Sequence, residues 1–343
     1  MRKFDDTLDI RKTDEFYCAP PAFCWKRDPM HTPDGRIRAA FAAAALALLG
    51  CAVCGAAAPD APAVYAIDSS NTLQAYDAAG RRLASLPFRA ELGRLNGGIA
   101  LALGNVYVTW EKPRSVDPPE PEKSGVYAFD RISLRPVRLH IGAFKPADTD
   151  ADAGAMRAIA YDPGNERFYV ATERSGLLQF NNAGVPVPRN SESRRSTSSV
   201  AYDSDRRMLW SIVDHHEVIR FDVEAGVPLP DLAATGGPRP ARGSRPLALA
   251  YCPGGSSGIV AVAFGSVKGG GAATAQLFDA KGAPLGSARK IAHPNALSCS
   301  SSGELLVAAD QGLMKYALGS STIPSSVQWE GLSPPVYGAM AAY

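Results

Sequence analysis

The chain has 343 residues, 46% hydrophobic, 20% charged and 8% aromatic, and its 36 basic and 34 acidic side chains leave a formal charge of +2. That apolar content supports a full core and excludes wholesale disorder, while near-balanced charge gives no electrostatic footprint for a nucleic-acid binder. With 32 Gly and 27 Pro the composition suits many short strands joined by turns, and 6 Cys are too sparse for a disulfide scaffold.

Residues 1–29 carry alternating charges, two Cys and a Pro pair without helical or strand period, and read as an upstream or disordered segment. Met30 opens a different stretch, in which Arg36 and Arg38 flank an apolar run from Ala39 to Leu49. At about 1.5 Å per residue this run is too short for a bilayer core of roughly 30 Å, so residues 30–50 read as a secretory signal and not as a span. It ends in Leu48-Leu49-Gly50-Cys51, which resembles the lipobox of bacterial lipoproteins. The resemblance implies lipidation of Cys51 as the first mature residue, with Gly50 suiting a peptidase that needs a small side chain. Cleavage within Ala56-Ala57-Ala58 is a second route, giving a free periplasmic or extracellular protein. Residues 51–62 then form a tether, with Cys54 beside the anchor.

From residue 63 a short apolar strand, a turn and a second apolar strand recur. Gly98-Ile99-Ala100-Leu101 leads to Val106-Tyr107-Val108-Thr109, and Ile159-Ala160-Tyr161-Asp162 to Phe168-Tyr169-Val170-Ala171. The pattern returns from Val200 to Ile212, from Leu249 to Val262 and from Leu297 to Ala308. A third strand follows each pair and ends in an aromatic, usually before an acid or amide: Tyr76-Asp77, Phe129-Asp130, Phe180-Asn181, Phe221-Asp222, Phe278-Asp279 and Tyr316. These recur at intervals of 38–57 residues. Six small antiparallel meanders at that spacing predict an all-β, six-bladed β-propeller over residues 63–343. The first copy has a second strand, Val64–Asp68, and a third, Leu73–Asp77, but lacks a first. Ala339–Tyr343 matches the missing strand, so the C-terminal strand is expected to pair into the N-terminal blade and close the ring.

The segment Val64-Tyr65-Ala66-Ile67-Asp68 through Leu73-Gln74-Ala75-Tyr76-Asp77-Ala78-Ala79-Gly80 resembles a unit of the NHL-repeat family. Arg94-Leu95-Asn96-Gly97-Gly98 through Thr109, and Pro294-Asn295-Ala296-Leu297 through Asp310, are similar to its opening half. The resemblance covers nearly everything after the tether and speaks to fold more than to function. It implies that the loops into each first strand share a face with the second-to-third-strand loops. That face would present Asn96, Arg157, Ser199, Arg245, His293 and Asn295 together with Asp68, Trp110, Glu111, Glu173, His215, His216, Glu217 and Asp310.

Within that set, Asp214-His215-His216-Glu217 offers imidazole and carboxylate for a divalent metal, with His293 and Glu173 to complete the ligands. A solvated turn with two exposed imidazoles is the plainer reading, since adjacent strand residues point to opposite faces. Asp68, Asp214 and Asp310 hold equivalent repeat positions and read as turn formers. Asn96 and Asn295 resemble the calcium-coordinating Asn of gluconolactonase-like propellers, although the Glu that family also needs has no match. Gly254-Gly255-Ser256-Ser257-Gly258 fits a nucleophile-elbow pattern only by letter, lacking the following helix. Gly269-Gly270-Gly271 lacks the ending of a phosphate loop.

Cys252 and Cys299 sit on or beside first strands of neighbouring copies. An oxidising compartment would permit a disulfide, whereas a one-residue offset in their repeat positions favours two buried thiols. The sequence as a whole predicts an exported, lipid-anchored, monomeric binding or scaffold module. Its partner would be a protein or small molecule at the loop-rich face, with Glu111–Ser124 and Ser191–Ser199 contributing long loops. It would touch membrane only through the anchor, and no nucleic acid. A metal-dependent, lactonase-like hydrolase or lyase is the alternative.

Overall fold

A computed structural model describes residues 61–112, 115–116, 119–120, 123–137, 154–187, 195–224, 227–228, 243–253, 259–266, 273–279, 281–300, 302–317 and 327–342. The signal-like segment 30–50, Cys51, Cys54, Ser191–Arg194, Gly254–Gly258 and Gly269–Gly271 lie outside the described residues.

Six antiparallel sheets of three or four strands follow one another along the chain. The first holds β1 (Val64–Asp68), β2 (Thr72–Tyr76) and β3 (Arg82–Pro87), and the second holds β4 (Arg94–Ala102), β5 (Asn105–Lys112) and β8 (Lys123–Asp130). A two-stranded ribbon, β6 (Ser115–Val116) and β7 (Pro119–Glu120), lies between β5 and β8 in sequence, so much of the segment expected as a loop is strand. The third sheet holds β9 (Met156–Asp162), β10 (Arg167–Thr172) and β11 (Gly176–Asn181). The fourth holds β12 (Thr197–Asp203), β13 (Met208–Val213), β14 (Glu217–Asp222) and β15 (Val227–Pro228). The fifth holds β16 (Ser244–Cys252), β17 (Ile259–Ser266), β18 (Ala273–Phe278) and β19 (Pro284–Ile291), and the sixth β20 (Pro294–Cys299), β21 (Glu304–Ala309) and β22 (Gly312–Ala317). The last strand, β23 (Val336–Ala341), returns to the first sheet and pairs antiparallel with β1. It begins three residues earlier than the sequence suggested, because Val336 already pairs with Asp68.

The apolar runs are strands buried on both faces. β1 and β2 are buried at every residue, and β10, β13, β17 and β21 nearly so. The outer strands β3 and β19 are largely exposed. Each apolar cluster joins two sheets. Tyr65, Ile67 and Leu73 of the first meet Val106, Val108 and Phe129 of the second. Ala100 and Tyr107 of the second meet Ile159 and Phe168 of the third. Tyr169 and Leu177 meet Leu209 and Phe221 of the fourth, and Trp210 and Ile212 meet Leu249 and Val262 of the fifth. Ala261 and Ala263 meet Leu305 and Val307 of the sixth. A last cluster joins Leu306 and Ala308 of the sixth sheet to Ala66, Tyr76 and Val336 of the first.

The aromatic-acid pairs that mark each third strand have a physical cause. The aromatic fills an inter-sheet cluster, and the next side chain caps the turn that follows. Asp130 Oδ1 accepts the Ser133 N–H at 2.8 Å, Asn181 Oδ1 the Val185 N–H at 2.9 Å and Asp279 Oδ1 the Ala283 N–H at 2.8 Å. Asp68 does similar work on the turn after β1, accepting the N–H of Ser70 at 3.0 Å.

Cys252 and Cys299 form a disulfide, with their Cα atoms 4.9 Å apart. The two buried thiols that the one-residue offset favoured are therefore replaced by a bond, and the offset is what allows it. Side chains alternate along a strand, so an odd offset turns the two cysteines to opposite faces of their own sheets. In sheets packed face to face those opposite faces meet, and both cysteines fall in the cluster between the fifth and sixth sheets.

Candidate functional site

In each sheet one edge strand (β4, β9, β12, β16, β20 or β23) carries a break in register near its N-terminal end. In β9, Ala158 pairs with Ala171 and Met156 with Thr172, leaving Arg157 unpaired. The same count leaves out Ser198, Leu247, Asn295 and Tyr337, and β4 inserts Asn96-Gly97-Gly98 opposite Thr109. A bulge re-aims its extra residue. All six of these residues, Asn96, Arg157, Ser198, Leu247, Asn295 and Tyr337, line one cavity of about 720 Å³ whose walls are the six edge strands.

Backbones come close at this end. A Cβ on Gly338 would stand 2.7 Å from the Gly97 Cα, and one on Gly98 would stand 2.9 Å from the Ala158 Cα. Gly97 itself has φ +97°, which only Gly adopts freely. On the other flank Asn295 Nδ2 donates to the Val336 carbonyl at 3.0 Å, and the Ala341 N–H donates to Ser298 Oγ at 2.9 Å. These bonds tie β23 to β20.

The charged groups of the rim satisfy one another. Glu111, 4% exposed, accepts Arg94 Nε at 2.6 Å, lies 3.4 Å from Arg157 Nη1 and accepts Asn96 Nδ2 at 3.3 Å. The Arg157 Nε donates to Glu173 Oε1 at 2.8 Å. Asn96 Oδ1 accepts the Thr109 hydroxyl. Arg195 bridges Asp214 at 2.7 Å and Glu217 at 2.6 Å. Burial works to lower the Arg195 pKa, but its bonds to Glu217 and Asp214 prevail and raise it.

The structure does not assemble the metal set of His215, His216, His293 and Glu173. Among the described residues no three His, Cys, Asp or Glu side chains converge in a group that could hold a metal ion. His215 and His216 are exposed in the β13–β14 turn, where Asp214 (φ +49°) and His215 (φ +60°) take the left-handed conformations of a hairpin turn. His216 Nδ1 lies 2.6 Å from the Asp214 carbonyl. Glu173 is held by Arg157. Asp214 and Asp310, read as turn formers, instead hold Arg195 and Asn295, the latter with Nδ2 to Oδ1 at 3.0 Å.

Of the residues expected on the shared face, Asn96, Arg157 and Asn295 reach the cavity as bulge residues. Ser199 lines it beside its bulged neighbour Ser198, while His293 and Arg245 do not line it. Tyr337 and Leu247 also line it, and nothing in composition marks them, because a bulge leaves no composition signal. The one available cue was a polar or aromatic residue interrupting an apolar first strand, as Tyr337 does between Val336 and Gly338. No protein-family model matches the chain, and no curated protein matches it either.

Proposed function

We propose that this chain is an NHL-like, six-bladed β-propeller acting as a non-enzymatic binding module, which takes a small molecule into its central cavity through the rim of bulge residues. The observation that carries the reading is the convergence of bulge residues from all six edge strands on a single cavity. Six inter-sheet clusters, the last joining the sixth sheet to the first, support a closed ring with the C-terminal strand completing the N-terminal blade. The Cys252–Cys299 disulfide supports an oxidising compartment. Together with the lipobox-like Leu48-Leu49-Gly50-Cys51 it favours an exported protein anchored by lipid in a bacterial envelope. The metal-dependent hydrolase reading has no convergent ligand set behind it among the described residues.

The test is thermal denaturation of the full-length protein against a small-molecule library, beside Ser198→Trp, whose indole would obstruct the mouth. The reading expects a ligand that stabilises the wild type, loses its effect on Ser198→Trp and is recovered chemically unchanged. Stabilisation that survives Ser198→Trp refutes the cavity as the site. Turnover of the ligand refutes a non-enzymatic role.

A further inference from the structure

The walls of the cavity are rich in Ala, Leu, Ile and Val, which by composition suggests a greasy pocket. The geometry argues otherwise. Consecutive residues of each strand line the space, such as Ile159, Ala160 and Tyr161, or Leu249, Ala250 and Tyr251. Successive side chains of a strand point to opposite faces, so a wall made of consecutive residues is a strand edge and not a side-chain face. The core clusters agree. Ala248 and Ala250 pack toward the sixth sheet and Leu249 and Tyr251 toward the fourth. Ile159 packs toward the second and Ala160 toward the fourth.

Each of the six lining strands is also the terminal strand of its sheet. Its cavity-side rail of N–H and C=O groups therefore has no strand partner within its sheet, although Ser298 Oγ takes the Ala341 N–H and Asn295 Nδ2 donates to the Val336 carbonyl. An acyl chain filling this space would strip water from those groups and give nothing back, so each group left unpaired would oppose binding. The occupant that suits the walls carries hydrogen-bonding groups along its whole length.

The rim narrows the chemistry further. Arg94, Glu111, Arg157 and Glu173 form a closed set of two cations and two carboxylates, so the bulge end of the cavity holds no surplus charge for an ionic ligand, while Arg131 lines the opposite end. The Ser198 hydroxyl and the Tyr337 hydroxyl have no hydrogen-bond partner among the described residues. The bonds that Asn295 makes use its Nδ2, which leaves its carbonyl oxygen as an acceptor. Tyr337 is 42% exposed and offers a ring face with a polar tip. A cavity of about 720 Å³ has the size of an ordinary small-molecule site.

From these we propose that the cavity binds a neutral, polyhydroxylated small molecule of the sugar or polyol class. This rests on the reading of the cavity as a binding site, and it assigns the ligand chemistry. The ligand's hydroxyls satisfy the peptide rails, Ser198, Asn295 and Tyr337 contact it at the mouth, and the Tyr337 ring lies against its C–H face.

Calorimetry and melting shifts on the full-length protein test this with three probe sets. One is a panel of neutral mono- and disaccharides, N-acetylhexosamines and inositols at up to tens of millimolar, and the others are gluconate and decanoate. The expected result is saturable binding of at least one neutral probe. Binding should weaken about tenfold in Asn295→Ala and in Ser198→Ala, the size of one lost hydrogen bond, with the disulfide retained in both and the melting profile retained in Ser198→Ala, whose hydroxyl holds no other element. Decanoate should give no shift, and gluconate should bind more weakly than the neutral probe. Failure of the whole neutral panel overturns the proposal. If decanoate or gluconate then binds and Ser198→Trp blocks it, the ligand class is wrong and the cavity remains the site. If a sugar binds equally well to Asn295→Ala, Ser198→Ala and Ser198→Trp, it sits elsewhere, and the cavity reading fails with the proposal.

Discussion

Replacing Cys252 and Cys299 together by Ala probes how the fifth and sixth sheets are held. The bond closes a loop with a sequence separation of 47 residues. Constraining the unfolded chain over that length is worth about 4 kcal/mol at room temperature. Nothing offsets this elsewhere, because both side chains lie in the apolar cluster between the fifth and sixth sheets, where Ala fills less space than the bonded sulfur it replaces. Against a domain stability of about 5–15 kcal/mol this is a large share, and in melting temperature it corresponds to roughly 10 °C. Guanidinium titration of the wild type and the double variant should show a lower midpoint and, with a more expanded unfolded state, a slope at least as steep. Mass spectrometry of unreduced peptides from the exported protein should find the two cysteines in one linked species. Two free thiols in that sample, or a stability change within about 0.5 kcal/mol, would show that no such bond holds the two sheets.

Three further outcomes are expected. Gly338→Ala drives a methyl into the Gly97 backbone, where no flexible side chain can yield, and should lower stability by about 1–3 kcal/mol; an unchanged melting temperature contradicts the close approach described. The Asp130 carboxyl is held below its ordinary value of 3.8, first by the Ser133 N–H and then by the Ser133 hydroxyl. A lowered folded pKa means that its stabilising contribution is full above pH 3.8 and is lost as pH falls through the lower folded value. Ser133→Ala should move the Asp130 midpoint upward in an NMR titration, and a midpoint that stays put shows that the hydroxyl is irrelevant. Finally, Cys51→Ser should abolish palmitate labelling of the protein in a bacterial host while leaving export intact; labelling that persists rules out that anchor.

The strands were legible because burial on both faces forces an uninterrupted apolar run, and such runs stand out between Gly- and Asp-bearing turns. Val64–Asp68 is found over its expected length, and the aromatic-acid pairs mark turns that Asp77, Asp130, Asn181 and Asp279 cap. Topology was also legible, since a first copy lacking one strand and a spare strand at the far end have one economical solution. Side-chain convergence was not. His215 and His216 drew attention as adjacent imidazoles, but their residue types also suit a turn with positive φ, and the local backbone places them in solvent. Arg157 and Glu173 were each visible as polar residues at the ends of strands. That they neutralise one another depends on a one-residue bulge, which shifts the side chain without changing the pattern of letters. The cysteines show a subtler limit, because the parity of an offset has opposite meanings within one sheet and across two.

The pairing of β23 with β1 sets an order on the protein's making. Among the described strands β1 is the first to be synthesised, and it waits, with one edge unmatched, until its partner beginning at Val336 has been made. A contact of that sequence separation is among the slowest to form. Any chain cut short before Val336 keeps β1 as an open template, able to recruit foreign strands or to invite proteolysis. β23 thus acts as the cover of one edge of β1, in place only after the residues from Val336 onward have been made.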